Sequence, residues 1–81
     1  MRITVHLFAR ARDIAGASRV HIELVEGAKV ADLREHVGAL YPGLAGLLEH
    51  CAVAVDDEFA DNGTPLSPNA EVALLPPVSG G

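Results

Sequence analysis

Apolar and polar residues alternate along residues 2–8, with Ile3, Val5 and Leu7 on one side and Arg2, Thr4, His6 and Phe8 on the other. A period of two marks a half-buried strand. Phe8 breaks the pattern, because its ring falls on the polar side. Residues 19–25 alternate again, Val20, Ile22 and Leu24 against Arg19, His21 and Glu23. Two such strands in succession predict an antiparallel hairpin. The intervening residues 9–18, with Arg10, Arg12, Asp13, Gly16 and Ser18, read as a connection with room for one helical turn.

The period changes after Gly27-Ala28. Val30, Leu33, Val37 and Leu40 recur at helical spacing, with Arg34, Glu35 and His36 largely on the opposite side. This predicts an amphipathic helix of about three turns. Lys29 stands where Ser, Thr or Asp is preferred as a cap. Tyr41-Pro42-Gly43 ends the helix, and Leu44, Leu47 and Leu48 allow a short second helical segment. Residues 51–55 form a short, largely apolar strand, and Asp56-Asp57 is a tight-turn pair. Glu58-Phe59-Ala60 is a brief return strand, followed by turn chemistry at Asn62-Gly63-Thr64-Pro65 and Ser67-Pro68-Asn69. Glu71 to Leu75 is the last strand, with Val72 and Leu74 inward. The expected fold is α+β: a mixed sheet of four to five strands with one main helix on one face.

At 81 residues this is one domain, without repeats or low-complexity segments. The hydrophobic share of 49% against 21% charged is that of a globular chain. Eleven acids against six Lys and Arg give a formal charge of -5. That disfavours a nucleic-acid backbone or an anionic membrane as partner, since both require clustered positive charge. A protein partner with a basic patch fits better. Cys51 is the single cysteine, so neither an internal disulfide nor a four-thiolate zinc site is available. No apolar run is long enough to cross a bilayer, and the N-terminus reads as a strand, not a signal peptide. The expected location is the cytoplasm.

The C-terminus carries the chemistry. From Val72 onward no side chain is ionisable, and the chain ends Leu74-Leu75-Pro76-Pro77-Val78-Ser79-Gly80-Gly81. Pro76-Pro77 cannot continue a β-ladder and favours an extended conformation. The division expected is a folded domain over 1–75 and a projecting tail over 76–81, reaching up to roughly 20 Å. Gly80 and Gly81 lack side chains, so a narrow channel on another protein can admit them and approach the carboxylate closely. A free carboxylate is a poor electrophile until it is converted to an acyl-adenylate. A sulfur donor can then displace the adenylate and leave a thiocarboxylate. In such chemistry the chain supplies delivery and orientation, and its partners supply the catalytic groups.

The whole chain resembles the small subunits of molybdopterin synthase, sulfur carriers with the ubiquitin-like β-grasp fold. The resemblance rests on Leu7-Phe8-Ala9-Arg10, Ala54-Val55-Asp56, Thr64-Pro65-Leu66 and, above all, Glu71 through Gly81. It departs from the family pattern at Asp56, where Asn is usual, at Asn69-Ala70, and at Lys29, where Thr often opens the helix. It implies that Gly81 is adenylated by a ubiquitin-activating-type enzyme using ATP and receives sulfur from a donor protein. The tail then delivers the sulfur within the large synthase subunit to cyclic pyranopterin monophosphate. Gly81 and Gly80 would be the reactive end. The chain itself would bind no cofactor and would be a non-catalytic subunit. Carriers serving thiamine, tRNA thiolation or tungsten-pterin synthesis share the tail chemistry. A ubiquitin-like modifier, or a non-covalent ubiquitin-like adaptor, would share the fold. A single lysine, Lys29, would restrict lysine-linked chains.

Strand parity adds a docking face. Phe8 and Leu75 lie on the outward side of the first and last strands, which are neighbours in a β-grasp sheet, so the two should meet near the tail's exit, with Phe59 joining them. Exposed apolar clusters of this kind mark interfaces. Partner contacts are therefore expected at Phe8, Phe59, Leu75, Pro76, Pro77, Val78 and Ser79. His6 and His21 point outward on neighbouring strands and His50 abuts Cys51, but neither set has a third ligand, so no metal site is expected. Cys51 shares the parity of Val53 and Val55 and reads as a buried small hydrophobe. Asp56-Asp57-Glu58 reads as a solvated turn.

Overall fold

The structure, a computed structural model, describes residues 1–77. Strand β1 (Arg2–Leu7) leads into helix α1 (Ala9–Ala15), then β2 (Arg19–Glu23) and helix α2 (Val30–Leu40). A 3₁₀ turn (Pro42–Leu44) and helix α3 (Ala45–Leu48) follow, then β3 (Ala52–Val55), β4 (Glu58–Ala60) and β5 (Glu71–Leu75). The five strands form one mixed sheet in the order β2-β1-β5-β3-β4. β1 and β5 are parallel, and every other neighbouring pair is antiparallel. This is the β-grasp arrangement, with a long crossover carrying α2 over one face.

Alternation along the strands sorts the sheet into two faces. Ile3, Val5, Leu7, Ile22, Val53, Val72 and Leu74 are all at most 2% exposed and pack with Val30, Leu33 and Val37 of α2 into one core. Burying such side chains contributes about 1.5–3 kcal/mol each, which is what holds a domain this small together. Among the described residues, the other face of the sheet carries no helix. Its rows read Arg19, His6, Ala73, Ala54, Phe59 and, one step away, His21, Thr4, Glu71.

Three local features differ from the sequence expectation. Residues 9–15 form a helix of two turns, so β1 and β2 pair antiparallel without being a tight hairpin. Only Ala11 of α1 is buried, which is why no apolar period announces it. The start of α2 is capped from within the helix: the Lys29 N–H donates to Asp32 Oδ2 at 2.8 Å. The lysine side chain has no acceptor, so the reciprocal half of a capping box is not available. The third is Asp56-Asp57-Glu58, treated below.

Candidate functional site

The site is the end of the sheet from which the C-terminal segment departs. β5 is the central strand, parallel to β1 with Leu7 opposite Leu74, and antiparallel to β3 with Ala52 opposite Leu75. Val72 and Leu74 are completely buried. The last ordered strand is therefore anchored on both edges and from below, and whatever follows Leu75 leaves from a rigid base. Pro76 is half-buried and Pro77 exposed, and neither continues the ladder, because proline has no N–H to donate. Val78, Ser79, Gly80 and Gly81, the remaining tail positions expected to matter, lie outside the described residues.

Phe8 is the first residue after β1 and stands on the helix-free face, 45% exposed. Extending the register by one places it abreast of half-buried Leu75. Ala9 follows with a left-handed φ of 49°, which turns the chain out of the strand directly after the ring. Phe59 occupies the same face, opposite Ala54 and 80% exposed. It lies three strand spacings from β1, about 14 Å. The structure thus brings Phe8 and Leu75 to one sheet end, and sets Phe59 apart across a floor of Ala73 and Ala54. A shallow hollow of about 350 Å³ beside Phe8 is lined by His6, Ala54, Asp57, Glu71 and Ala73 among others.

The polar groups around this floor are tied down. Asp56 and Asp57 have φ of 48° and 70°, the left-handed pair of a primed hairpin turn between β3 and β4. The Asp56 N–H donates to the Glu71 carbonyl at 2.8 Å, and the Glu71 N–H donates to Asp56 Oδ1 at 3.0 Å. The turn expected to be merely solvated is thereby fastened to the start of β5. Sequence reasoning had no signal for that bond, because it spans 15 positions. His6 Nε2 lies 3.1 Å from Glu71 Oε2, whereas His21 Nδ1 lies 3.2 Å from Thr4 Oγ1. The two histidines pair with different neighbours because the register sets His6 against Arg19 and His21 against Thr4. Among the described residues no group of three His, Cys, Asp or Glu is placed to hold a metal ion. No helix among them is long and apolar enough to cross a membrane.

Cys51 is buried at 4% exposure just before β3. Burial pushes its thiol pKa up, and the positive charge of Arg34 pulls it partly back. A thiol held protonated is a poor nucleophile.

The chain as a whole is similar to known proteins. A molybdopterin synthase sulfur carrier subunit of Chlamydomonas reinhardtii is 35% identical over 83 residues, covering all of both chains. The crystal structure of SAMP1 from Haloferax volcanii superposes with a TM-score of 0.90 at 28% identity, covering both chains fully. A chain from the complex of subunits 1 and 2 of molybdopterin-converting factor from Helicobacter pylori superposes with a TM-score of 0.72 at 30% identity, again over both full lengths. Residues 5–81 match the ThiS family. With the sheet order, the central β5 and the full-length likeness in agreement, this chain is a member of the ThiS family with the ubiquitin-like β-grasp fold.

Proposed function

We propose that this chain is the sulfur carrier subunit of a molybdopterin synthase. The carrying observation is the placement of β5: a strand held on both sides ends at Leu75, beside Phe8, and feeds a short side-chain-poor segment ending in Gly80-Gly81. Full-length similarity to subunits so named, and to one chain of a two-subunit complex, supports the same reading.

In the proposed cycle an oxygen of the Gly81 carboxylate attacks the α-phosphorus of ATP on a ubiquitin-activating-type enzyme, and pyrophosphate leaves. A persulfide-type donor then attacks the acyl carbon, and AMP leaves. Reductive cleavage of the donor's S–S bond by a thiol yields the thiocarboxylate. The charged tail enters the large subunit, where its sulfur attacks cyclic pyranopterin monophosphate; water then cleaves the acyl carbon–sulfur bond, leaving the sulfur on the pterin and returning the Gly81 carboxylate. Two charged carriers are needed for a dithiolene. Phe8, Leu75, Pro76, Pro77, Val78 and Ser79 would hold the carrier on its partners, with Phe59 at the far side of the same face. Such a cycle fits the cytoplasm. Gly81 and Gly80 react because they can be reached, and the domain contributes position.

The test is intact mass after incubation with ATP, an activating enzyme and a sulfur donor. Exchange of one terminal oxygen for sulfur is expected, and deletion of Gly81 should abolish it. Cofactor synthesis by the truncated chain would refute the reading. The likeness to SAMP1, a small archaeal modifier protein, favours a second reading, a ubiquitin-like modifier joined through Gly81 to lysines. Isopeptide-linked adducts surviving thiol treatment would identify it.

A further inference from the structure

The charges of this chain are segregated along the sequence, and the fold turns that into a segregation in space. All six Lys and Arg lie within residues 1–34, whereas residues 35–81 contain Asp and Glu but no Lys or Arg. The sheet order places Arg2 and Arg19, on β1 and β2, on one side of the central strand and Asp56, Asp57 and Glu58, at the β3–β4 end, on the other; Arg34 of α2 instead bonds Asn62.

Two hollows on the surface display the result. The one already described, about 350 Å³, has Asp57 and Glu71 in its lining and no Arg or Lys. A second, about 360 Å³, is lined by Leu7, Arg12, Ser18 and Arg19 and has no Asp or Glu. His6 and Phe8 belong to both and form the ridge between them. Arg12 has one weak contact, its Nε 3.9 Å from the exposed Asp13 Oδ1, and Arg19 has no ion pair among the described residues. From β2 to the β3–β4 turn is about three strand spacings, or roughly 14 Å. That exceeds the screening length of about 8 Å at physiological ionic strength. A docking partner therefore meets two separate signs of charge, not the net charge.

We infer that the partner surface that receives Phe8 is itself two-signed: a carboxylate faces the Arg12–Arg19 hollow, and a Lys or Arg faces the Asp57–Glu71 hollow. The two contacts on either side of one aromatic anchor set the angle at which the carrier lands, and so the direction in which the tail is aimed. Complementary charge of this kind acts on encounter rate and orientation more than on final affinity. This inference rests on the docking role of Phe8 proposed above.

The experiment measures association rate constants between the full chain and the large synthase subunit, at low and at high salt. For the double variant Arg12→Glu/Arg19→Glu the two alternatives predict opposite signs. A uniformly basic partner would bind this more negative carrier faster. The two-signed partner binds it about tenfold slower at low salt, and the difference shrinks at high salt. Asp57→Asn, which tolerates the left-handed backbone, should also slow association, by a few-fold. Arg12, Arg19 and Asp57 are exposed, so both variants should melt like the parent chain. A double variant that associates as fast as the parent, or faster, overturns the inference. If Phe8→Ala still weakens binding in that case, only the two-signed surface falls. If Phe8→Ala binds with full affinity, the docking role falls first.

Discussion

Phe8 and Leu75 show how one residue position can carry a role its neighbours do not share. Each has the parity of polar or small residues on its strand, His6 and Thr4 in one case and Ala73 and Glu71 in the other. An aromatic ring 45% exposed gives the free domain only part of what full burial would give. Its gain comes when a partner covers it. Phe8→Ala and Leu75→Ala should each weaken binding to the large subunit by more than about 1 kcal/mol, read by titration calorimetry at a temperature where both variants are folded. Cys51 is the opposite case, a residue whose chemistry the fold suppresses. Its pKa is raised by burial, so the folded state favours the protonated thiol. That contribution to stability is intact at neutral pH and is lost as the pH rises from the unfolded value, about 8.5, toward the higher folded one. Melting curves from pH 7 to 10 should therefore fall more steeply for the parent chain than for Cys51→Ala.

At the scale of elements, the decisive joint is between the β3–β4 turn and β5. Asp56 bonds Glu71 twice, once through its backbone and once through its carboxylate. Removing the side-chain acceptor in Asp56→Ala should cost about 1 kcal/mol, or roughly 4–8 °C in melting temperature for a domain of this size. Asp56→Asn keeps an oxygen acceptor and tolerates positive φ, so it should stay close to the parent. Thermal denaturation of the two variants side by side separates the hydrogen bond from the charge. The strands themselves were legible in the sequence because a half-buried strand must alternate, and Glu71–Leu75 has the bounds its pattern announces. Of helix α1 only room for one turn was legible, since a helix that buries one residue in seven has no apolar stripe.

At the scale of the whole molecule, stability and the proposed activity occupy different parts of the chain. The core lies between α2 and the inner face of the sheet, and Leu75 is the last residue of the last strand. Among the described residues the core ends at Leu74. The truncated chain should melt within about 1 °C of the parent, by calorimetry, while failing to accept sulfur. A large drop in melting temperature would mean that the terminus is a structural part of the domain. The candidate site was legible in part. Proline restricts the backbone wherever it occurs, so the end of the last strand before Pro76 was legible without coordinates, whereas Gly80-Gly81 lie outside the described residues. The separation of Phe59 from Phe8 could not, because it depends on which strands lie between them.

Sequence alone determined what is periodic or local: the inward faces of β1, β2 and β5, the three-turn helix, the end of the last strand at proline, and the unusual C-terminus. Those features follow from side-chain parity and backbone restriction, which act over a few residues. Tertiary structure decided what depends on long-range pairing: β5 in the centre, Leu74 beside Leu7, Asp56 on Glu71, and basic and acidic hollows on the two sides of Phe8. Residues far apart in the chain become neighbours only when strand order and register bring them together, and one step of register moves every side chain to the other face.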